Sequence, residues 1–347
     1  MAASEGKKVR ELVLRFGWNS SCYQLMNPGF NYWFSNHHDA AIAYVNYAGT
    51  RVVAGAPVCA FDNLLDVVNE FELDSATNAL QVCYFASSNR LKNITDQRKG
   101  YSTIHIGAQP VWRPHSLTKR MYSKKSLKHQ LHRAARHNVV IEEWSSNKAT
   151  EHPLLLKILD NWLTTRGLPR LHFLVESKTL SHLNDRRIFV AIQREQVVGF
   201  LIASPIPGRN GWLIEQFIRK HDAPNGTVEL MLQHAAQAFA NEKFDYLTLG
   251  LAPLTSQAKN KLHNEPWIIR LLLYWAKAHG SRFYNFEGLE FFKTKFEPDY
   301  WEPLYAIANK PQFSIRTLYA ISCAFTHGRP LRTLFFGLLK DALILRR

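Results

Sequence analysis

The stretch GWLIEQFIRKHDAPNGTVELMLQHAAQAFANEKFDYLTLGLAP (residues 211–253) changes its apolar period twice. Residues 211–220 read as a strand, on which Leu213, Glu215, Phe217 and Arg219 are expected to point one way. Pro224 and Gly226 then turn the chain into a helix over 226–242, where Val228, Met231, Leu232, Ala235 and Phe239 mark a buried side. Residues 244–253 return to a strand. The first-turn amides of such a helix have no intrahelical acceptors and suit an anionic or carbonyl oxygen. Gly226, Thr227 and Glu229 are therefore candidate substrate-binding residues, with Glu229 also placed to complement the helix dipole. Glu215 and Arg219 are expected side by side in the same cleft; the plainer reading of the two is a structural ion pair.

Upstream, RRIFVAIQ and QVVGFLIAS form a hairpin turning at Arg194–Glu195. The same order of elements occurs earlier. AIAYVNYAG (41–49) and TRVVAGAPV (50–58) read as a hairpin turning near Gly49, followed by a helix in NLLDVVNEF (63–71) and a strand in ALQVCYFA (79–86). Antiparallel strands followed by a helix and a strand describe an α/β chain with mixed sheets. This order suits two tandem GNAT-like acyltransferase domains, an N-terminal one over 1–148 and a C-terminal catalytic one over 149–310, with an amphipathic helical tail over 311–347.

The length of 347 residues agrees with two domains, and 46% hydrophobic residues suffice for packed cores. A formal charge of +15 points toward polyanions, nucleic acid or anionic lipid, rather than small neutral substrates. The four cysteines, Cys22, Cys59, Cys83 and Cys323, lack zinc-site or disulfide spacing, and His37–His38–Asp39 lacks ligand spacing, so no metal is expected. His105, in an expected strand, reads as an interior residue rather than a base. With no apolar run of a signal peptide or of about 18 residues, the expected location is cytoplasmic, peripheral on the inner face of the cell membrane.

Three further segments carry chemistry. Residues 113–137 read as one basic helix with eight Lys/Arg, four His and no acid. Leu127, Leu131, Ala134 and Ala135 form its expected inner stripe, while Lys119, Arg120, Lys124, Lys125, Lys128, Arg133 and Arg136 offer cations to a polyanion. In YNFEGLEFFKTKFEPDYWEPLYA (284–306), Phe286, Leu289, Phe292 and Phe296 approximate an inner stripe. Lys293 and Lys295, two apart on a helix, point about 200° away from each other, and Lys293 at the border of the stripe is the expected pocket residue. The tail LRTLFFGLLKDALILRR sets Leu334, Phe335, Leu338, Leu339 and Leu343 on one apolar face between basic residues, a pattern that lies in a membrane interface or docks on the protein's own core.

Read together, RKGYSTIHIGAQPVW, SLKHQLHRAARHNV, DAPNGTVELM, LTLGLAPL and RFYNFEGLEFFKTKFEPDYWEPLYA resemble the soluble catalytic region of bacterial phosphatidylglycerol lysyltransferases, and in particular the relatives of that family without membrane spans. The similarity covers most of residues 15–308 and is most specific at Phe292–Lys293–Thr294–Lys295–Phe296. It implies an enzyme that moves an aminoacyl group from aminoacyl-tRNA to a lipid hydroxyl without a metal or other cofactor. In that resemblance Glu215 orients the amino group or the acceptor hydroxyl, Arg219 binds a phosphate or the tRNA terminus, and Lys293 assists the oxyanion. Tyr284, Asn285 and Lys295 join the substrate-binding set, and the basic helix holds the tRNA. The family's aspartate three residues before the arginine is replaced here by Gln216. Two other readings remain open. In a coenzyme A-dependent GNAT acyltransferase, RKHDAPNGT would bind pyrophosphate, although it lacks tight glycine spacing. A non-catalytic lipid- or RNA-binding module would leave Glu215 and Arg219 without a task.

Overall fold

Antiparallel strands and two strand–helix–strand units build the sheet, and the hairpins expected near Gly49 and at Arg194–Glu195 both turn through left-handed residues. Ala48 and Gly49 have φ of 48° and 68°, and Arg194 and Glu195 of 48° and 65°, the handedness that matches the twist of paired strands. The structure is a computed structural model that describes residues 3–165, 172–175, 179–181, 183–255, 257 and 286–328. In the first half, β1 (Asn31–Phe34), β2 (Ala41–Tyr47) and β3 (Thr50–Ala54) run antiparallel, and helix α2 (Leu64–Thr77) returns the chain to β4 (Gln81–Ser87), parallel to β3. In the second half, β6 (Val139–Trp144), β7 (Arg187–Gln193), β8 (Gln196–Ile206) and β9 (Gly211–Arg219) run antiparallel. Helix α8 (Thr227–Asn241) then leads to β10 (Tyr246–Thr248), parallel to β9.

The halves do not close separately. With β5 (Ser102–Trp112), β11 (Ala252–Pro253) and β12 (Tyr300–Ala308), the described residues form one sheet of twelve strands, ordered β1-β2-β3-β4-β12-β5-β10-β9-β8-β7-β6, with β11 beside β5. The last strand of the first half, β5, pairs with β10 of the second. The last strand of the second half, β12 (Tyr300–Ala308), enters between β4 and β5. The sheet thus runs across residue 148, and the end of the aromatic segment supplies one of its strands.

Three further expectations are corrected. The basic helix is two helices, α4 (Pro114–Ser123) and α5 (Lys125–Arg136), broken at Lys124 with ψ of 115°. Arg120 and Lys124 there reach acids of the 297–299 turn, Arg120 to Asp299 at 2.6 Å and Lys124 to Glu297 at 2.6 Å. Ala135 is exposed, so only Leu127, Leu131 and Ala134 of the expected stripe are buried. The strand expected over 244–253 is split, because the chain leaves β9 after Thr248 and pairs Ala252 with Ala108 of β5.

Helices cover both faces, with the short α3 (Asn89–Thr95) and α6 (Ser146–Ala149) beside β4 and β7. On one, α4, α5 and α8 enclose Leu117, Leu131, Leu232 and Phe239 against Trp212 and Ile214. On the other, α7 (Pro153–Thr165) places Leu155 and Leu159 against Phe200 and Ile218. α1 (Ala3–Phe16) and α10 (Ile315–Thr326) cover a cluster with Val9, Val13, Ala320 and Ala324. Helix α10, the first part of the expected tail, therefore docks on the protein. Leu334, Phe335, Leu338, Leu339 and Leu343 lie outside the described residues. Among the described residues no helix is long and apolar enough to cross a membrane.

Where the strands exchange, Arg209 and Glu302 form a buried bidentate pair at 2.7 and 2.8 Å. Gln109 of β5 donates to the same carboxylate at 2.8 Å and Tyr246 of β10 at 2.9 Å, so three strands and the β8–β9 turn meet on one acid. Burial alone would raise the Glu302 carboxyl, but Arg209, Gln109 and Tyr246 outweigh it and hold it below its usual 4.5. A folded pKa below the unfolded one contributes stability above the unfolded pKa that is lost as pH falls through the folded value. Glu302→Gln is expected to cost about 3–5 kcal/mol near neutral pH by leaving Arg209 uncompensated. Urea denaturation at stepped pH should show that deficit shrinking below about pH 4.5; a constant deficit would contradict this assignment.

Candidate active site

Strands β9 and β10 pair only over Gly211–Leu213 with Tyr246–Thr248. Beyond that point β9 runs on beside β8 to Arg219 while the other chain crosses to β5. Ligands of α/β sheets bind outside the carboxyl ends of parallel strands where the chains part, and helix α8 opens at that same end. A cleft of about 400 Å³ lies there, lined by Gln130 and Arg133 of α5, Arg219, residues 224–229, Phe292 of α9 (Phe286–Thr294) and Lys295 just beyond it.

The cleft is built from local constraints. Gly226 has φ of +95°, and a Cβ at this position would come 2.1 Å from the carbonyl oxygen of Gln130, so only glycine lets α5 and the start of α8 approach this closely. Thr227 Oγ1 donates to the Pro224 carbonyl at 2.6 Å and fixes the turn before the helix. The Arg219 guanidinium is anchored by one nitrogen, Nη1 donating to the Ala223 carbonyl at 3.2 Å, which leaves its other nitrogens without a partner among the described residues. Lys295 follows the end of α9, where its Nζ pairs with Glu229 at 2.5 Å above the rings of Phe292 and Phe296. Three cations face one carboxylate beside the first turn of a helix, so the cleft is electropositive and suited to a phosphate or a developing oxyanion.

The structure brings together Arg219, Gly226, Thr227, Glu229, Lys295 and Arg133, and separates Glu215 and Lys293 from them. Strand β9 has a bulge at Glu215, because Ile202 pairs with Gln216 and Ala203 with Ile214. The extra residue reverses the alternation. Trp212 and Ile214 before the bulge, and Phe217 after it, share the α8 face with Arg219. Glu215 turns to the other face, where Arg186 binds it at 2.8 and 3.2 Å and also donates to Ser204. The side chains of this pair are 2% and 8% exposed. Glu215 and Arg219 are thus not neighbours in a cleft, and the plainer reading, an ion pair, applies to Glu215 with a different partner.

Lys293 is buried at 3% exposure rather than facing the cleft. Its Nζ donates to the carbonyls of Gly250 and Leu251 at 2.7 and 2.8 Å, the groups at which β10 and β11 come apart. Burial pushes its pKa down from 10.5 to about 7. Of the cations expected for a polyanion, Lys119, Lys125, Lys128, Arg133 and Arg136 are exposed, and Arg133 continues their surface into the cleft. Tyr284 and Asn285 lie outside the described residues. The sequence reading missed Arg186 as the partner of Glu215, and its one signal was the Arg186–Arg187 doublet at the head of a strand. It also missed Gln130, whose carbonyl packs on Gly226. The equivalent crevice of the first half, at the ends of β3 and β4, holds only about 10 Å³.

The sequence model of the family described as phosphatidylglycerol lysyltransferase, C-terminal, matches residues 10–308. A phosphatidylglycerol lysyltransferase of Staphylococcus xylosus is 20% identical over 309 residues, 87% of this chain but 35% of that protein. The chain thus spans about a third of that relative's length. Among solved structures, the C-terminal DUF2156 domain of an Agrobacterium fabrum protein superposes with a TM-score of 0.77 at 20% identity, covering 94% of this chain and 98% of that one. L-PGS from Bacillus licheniformis gives 0.72 at 19% identity, covering 97% and 96%. These structures share the fold.

Two expectations separate the roles of these residues. Glu215→Ala strands a buried guanidinium and should cost about 3–5 kcal/mol in urea denaturation, whereas Arg219→Ala should stay within about 1 kcal/mol of wild type. Equal stability of the Glu215 variant would contradict the pairing. For Lys293, the unfolded chain holds a proton between about 7 and 10.5 that the folded protein has released, so stability rises with pH across that window. The stability difference between wild type and Lys293→Met should therefore move in favour of wild type from pH 7 to pH 10; parallel curves would contradict the shift.

Proposed function

Because the chain belongs to the phosphatidylglycerol lysyltransferase C-terminal family, we propose that it transfers an aminoacyl group from aminoacyl-tRNA to a lipid hydroxyl in the cleft between α5, α8 and α9. One observation supports this most: the open crevice of the second half joins Arg219, Arg133 and Lys295 to the opening turn of α8, and Arg133 links it to the exposed cations of α5.

In this reading the halves are a tandem of GNAT-like units whose last strands are exchanged, and only the second keeps an open crevice. Lys119, Lys125, Lys128, Arg133 and Arg136 hold the tRNA backbone, and its esterified 3′ end enters past Arg133. The acceptor hydroxyl oxygen attacks the ester carbonyl carbon, forming a new C–O bond. Collapse breaks the bond to the terminal ribose, whose oxygen leaves with the proton released by the acceptor. One ester replaces another, so the protein's task is alignment and stabilisation of the tetrahedral oxyanion. Arg219 and the α8 amides serve that oxyanion or the adjacent phosphate, and Glu229 holds Lys295 in place. Glu215 and Lys293 support the fold around the cleft rather than touching the reactants. The tail beyond 328 keeps the protein at the lipid surface.

Purified protein should move label from radiolabelled aminoacyl-tRNA into an extracted lipid fraction, and Arg219→Ala should lower the rate at least about tenfold with folding intact. Transfer from acetyl-CoA with no dependence on tRNA would contradict the proposal. Neutralising Lys125, Lys128 and Arg136 together should flatten the salt dependence of tRNA binding by close to one slope unit per lost phosphate contact. An unchanged slope would remove α5 from the tRNA surface.

A further inference from the structure

The closed crevice of the first half contains polar groups that the fold does not satisfy. Arg90 lies between aromatic rings, with its guanidinium 4.9 Å from Trp18 and 5.0 Å from Phe61. Arg209, on the same indole at 4.7 Å, has Glu302 as counterion, whereas no acid pairs with Arg90 among the described residues. Among the described residues the one hydrogen bond of Arg90 is a long one to the Cys59 carbonyl, 3.4 Å, and its Nε is buried without a partner. Asn19 is 8% exposed; its Oδ1 accepts from Ser88 at 3.3 Å, and its Nδ2 has no acceptor. Ser21 Oγ is a third buried atom without a partner.

These groups converge. Arg90 and Asn19 line the same cavity, and a Cβ on Gly55, where φ is +77°, would come 2.6 Å from Asn19 Nδ2 and 3.4 Å from Ser21 Oγ. Leaving buried donors unsatisfied is costly, and an arginine without a carboxylate adds a charge to be balanced. Guanidinium and amide NH₂ groups only donate, so a group that satisfies them is an acceptor, and the arginine charge favours an anion. A cavity of about 10 Å³ admits one oxygen. The rest of the anion must stay at the mouth, where Phe61 is 58% exposed. A tetrahedral phosphate can insert one oxygen and keep the others, and any ester substituent, outside.

We propose that the mouth of the first-half crevice is a binding site for a phosphate group, one oxygen of which sits between Arg90 Nε and Asn19 Nδ2. The site is separate from the cleft of α5, α8 and α9 and does not depend on the transfer reaction. A free phosphate and an anionic lipid headgroup share this chemistry.

The test measures binding of inorganic phosphate, and of vesicles of phosphatidylglycerol or phosphatidylcholine, to the full chain. Asn19→Asp replaces the unpartnered Nδ2 by a carboxylate oxygen on the wall of the cavity that Asn19 shares with Arg90, so the anion is supplied from within. It should bind phosphate or phosphatidylglycerol vesicles at least about tenfold more weakly than wild type, the loss of one charge-assisted hydrogen bond. Asn147→Asp makes the same change of charge on an exposed position and should bind as wild type does. Should Asn19→Asp not fold, Arg90→Gln makes the same comparison. Weakened binding to phosphate alone identifies a free phosphate, and weakened binding to phosphatidylglycerol vesicles identifies the headgroup. Equal binding by wild type and the site variants, an equal loss in Asn147→Asp, or acetate binding as tightly as phosphate would each overturn the proposal.

Discussion

The exchange of last strands between the two halves is the constraint on which the rest of the molecule depends. Strand β12 has to travel into the first half to lie between β4 and β5, and it carries Glu302 to Arg209 when it arrives. Helix α9 is tied to β12 by the turn at 295–299, so seating the strand also sets the helix beside the end of β10. Phe292 and Lys295 become cleft walls in the same step. The cleft therefore cannot be assembled by the second half alone: a side of it is delivered by a segment whose strand is seated between two strands of the first half.

Much of the local structure was legible in the sequence. Alternating apolar runs gave both hairpins, and the 3,4 spacing from Val228 to Phe239 gave α8 with its buried side. Pairing between distant strands leaves no local trace, so β12 between β4 and β5 could not be read from periodicity. A bulge adds one residue without changing composition, and the one at Glu215 was enough to send that carboxylate through the sheet to Arg186. Lys293 and Lys295 were rightly read as diverging, but which one met the cleft depended on where α9 stops. It stops at Thr294, which frees Lys295 to swing toward Glu229. At Lys124 the chain follows a tertiary demand, the reach to Glu297, over the helical pattern around it.

The two halves share an order of elements but end in different crevices. Each places a helix after a strand and parts two parallel strands at their carboxyl ends. In the second half the crevice is open and ringed by Arg133, Arg219 and Lys295. In the first, Trp18, Asn19 and Arg90 close it down to room for a single atom. Fold alone does not distinguish them; the side chains at the strand ends do. On this account large reactants meet at the open crevice, and the closed one reads a small anionic group.

The most direct test of the open crevice as the seat of the reaction is photocrosslinking with an aminoacyl-tRNA that carries a photoreactive 3′-terminal nucleotide, followed by mapping of the adducts. The account places adducts on residues 219–229 and 292–295, around Arg219 and Lys295. Adducts confined to the opposite face of the sheet, around the Glu215–Arg186 pair, would contradict it.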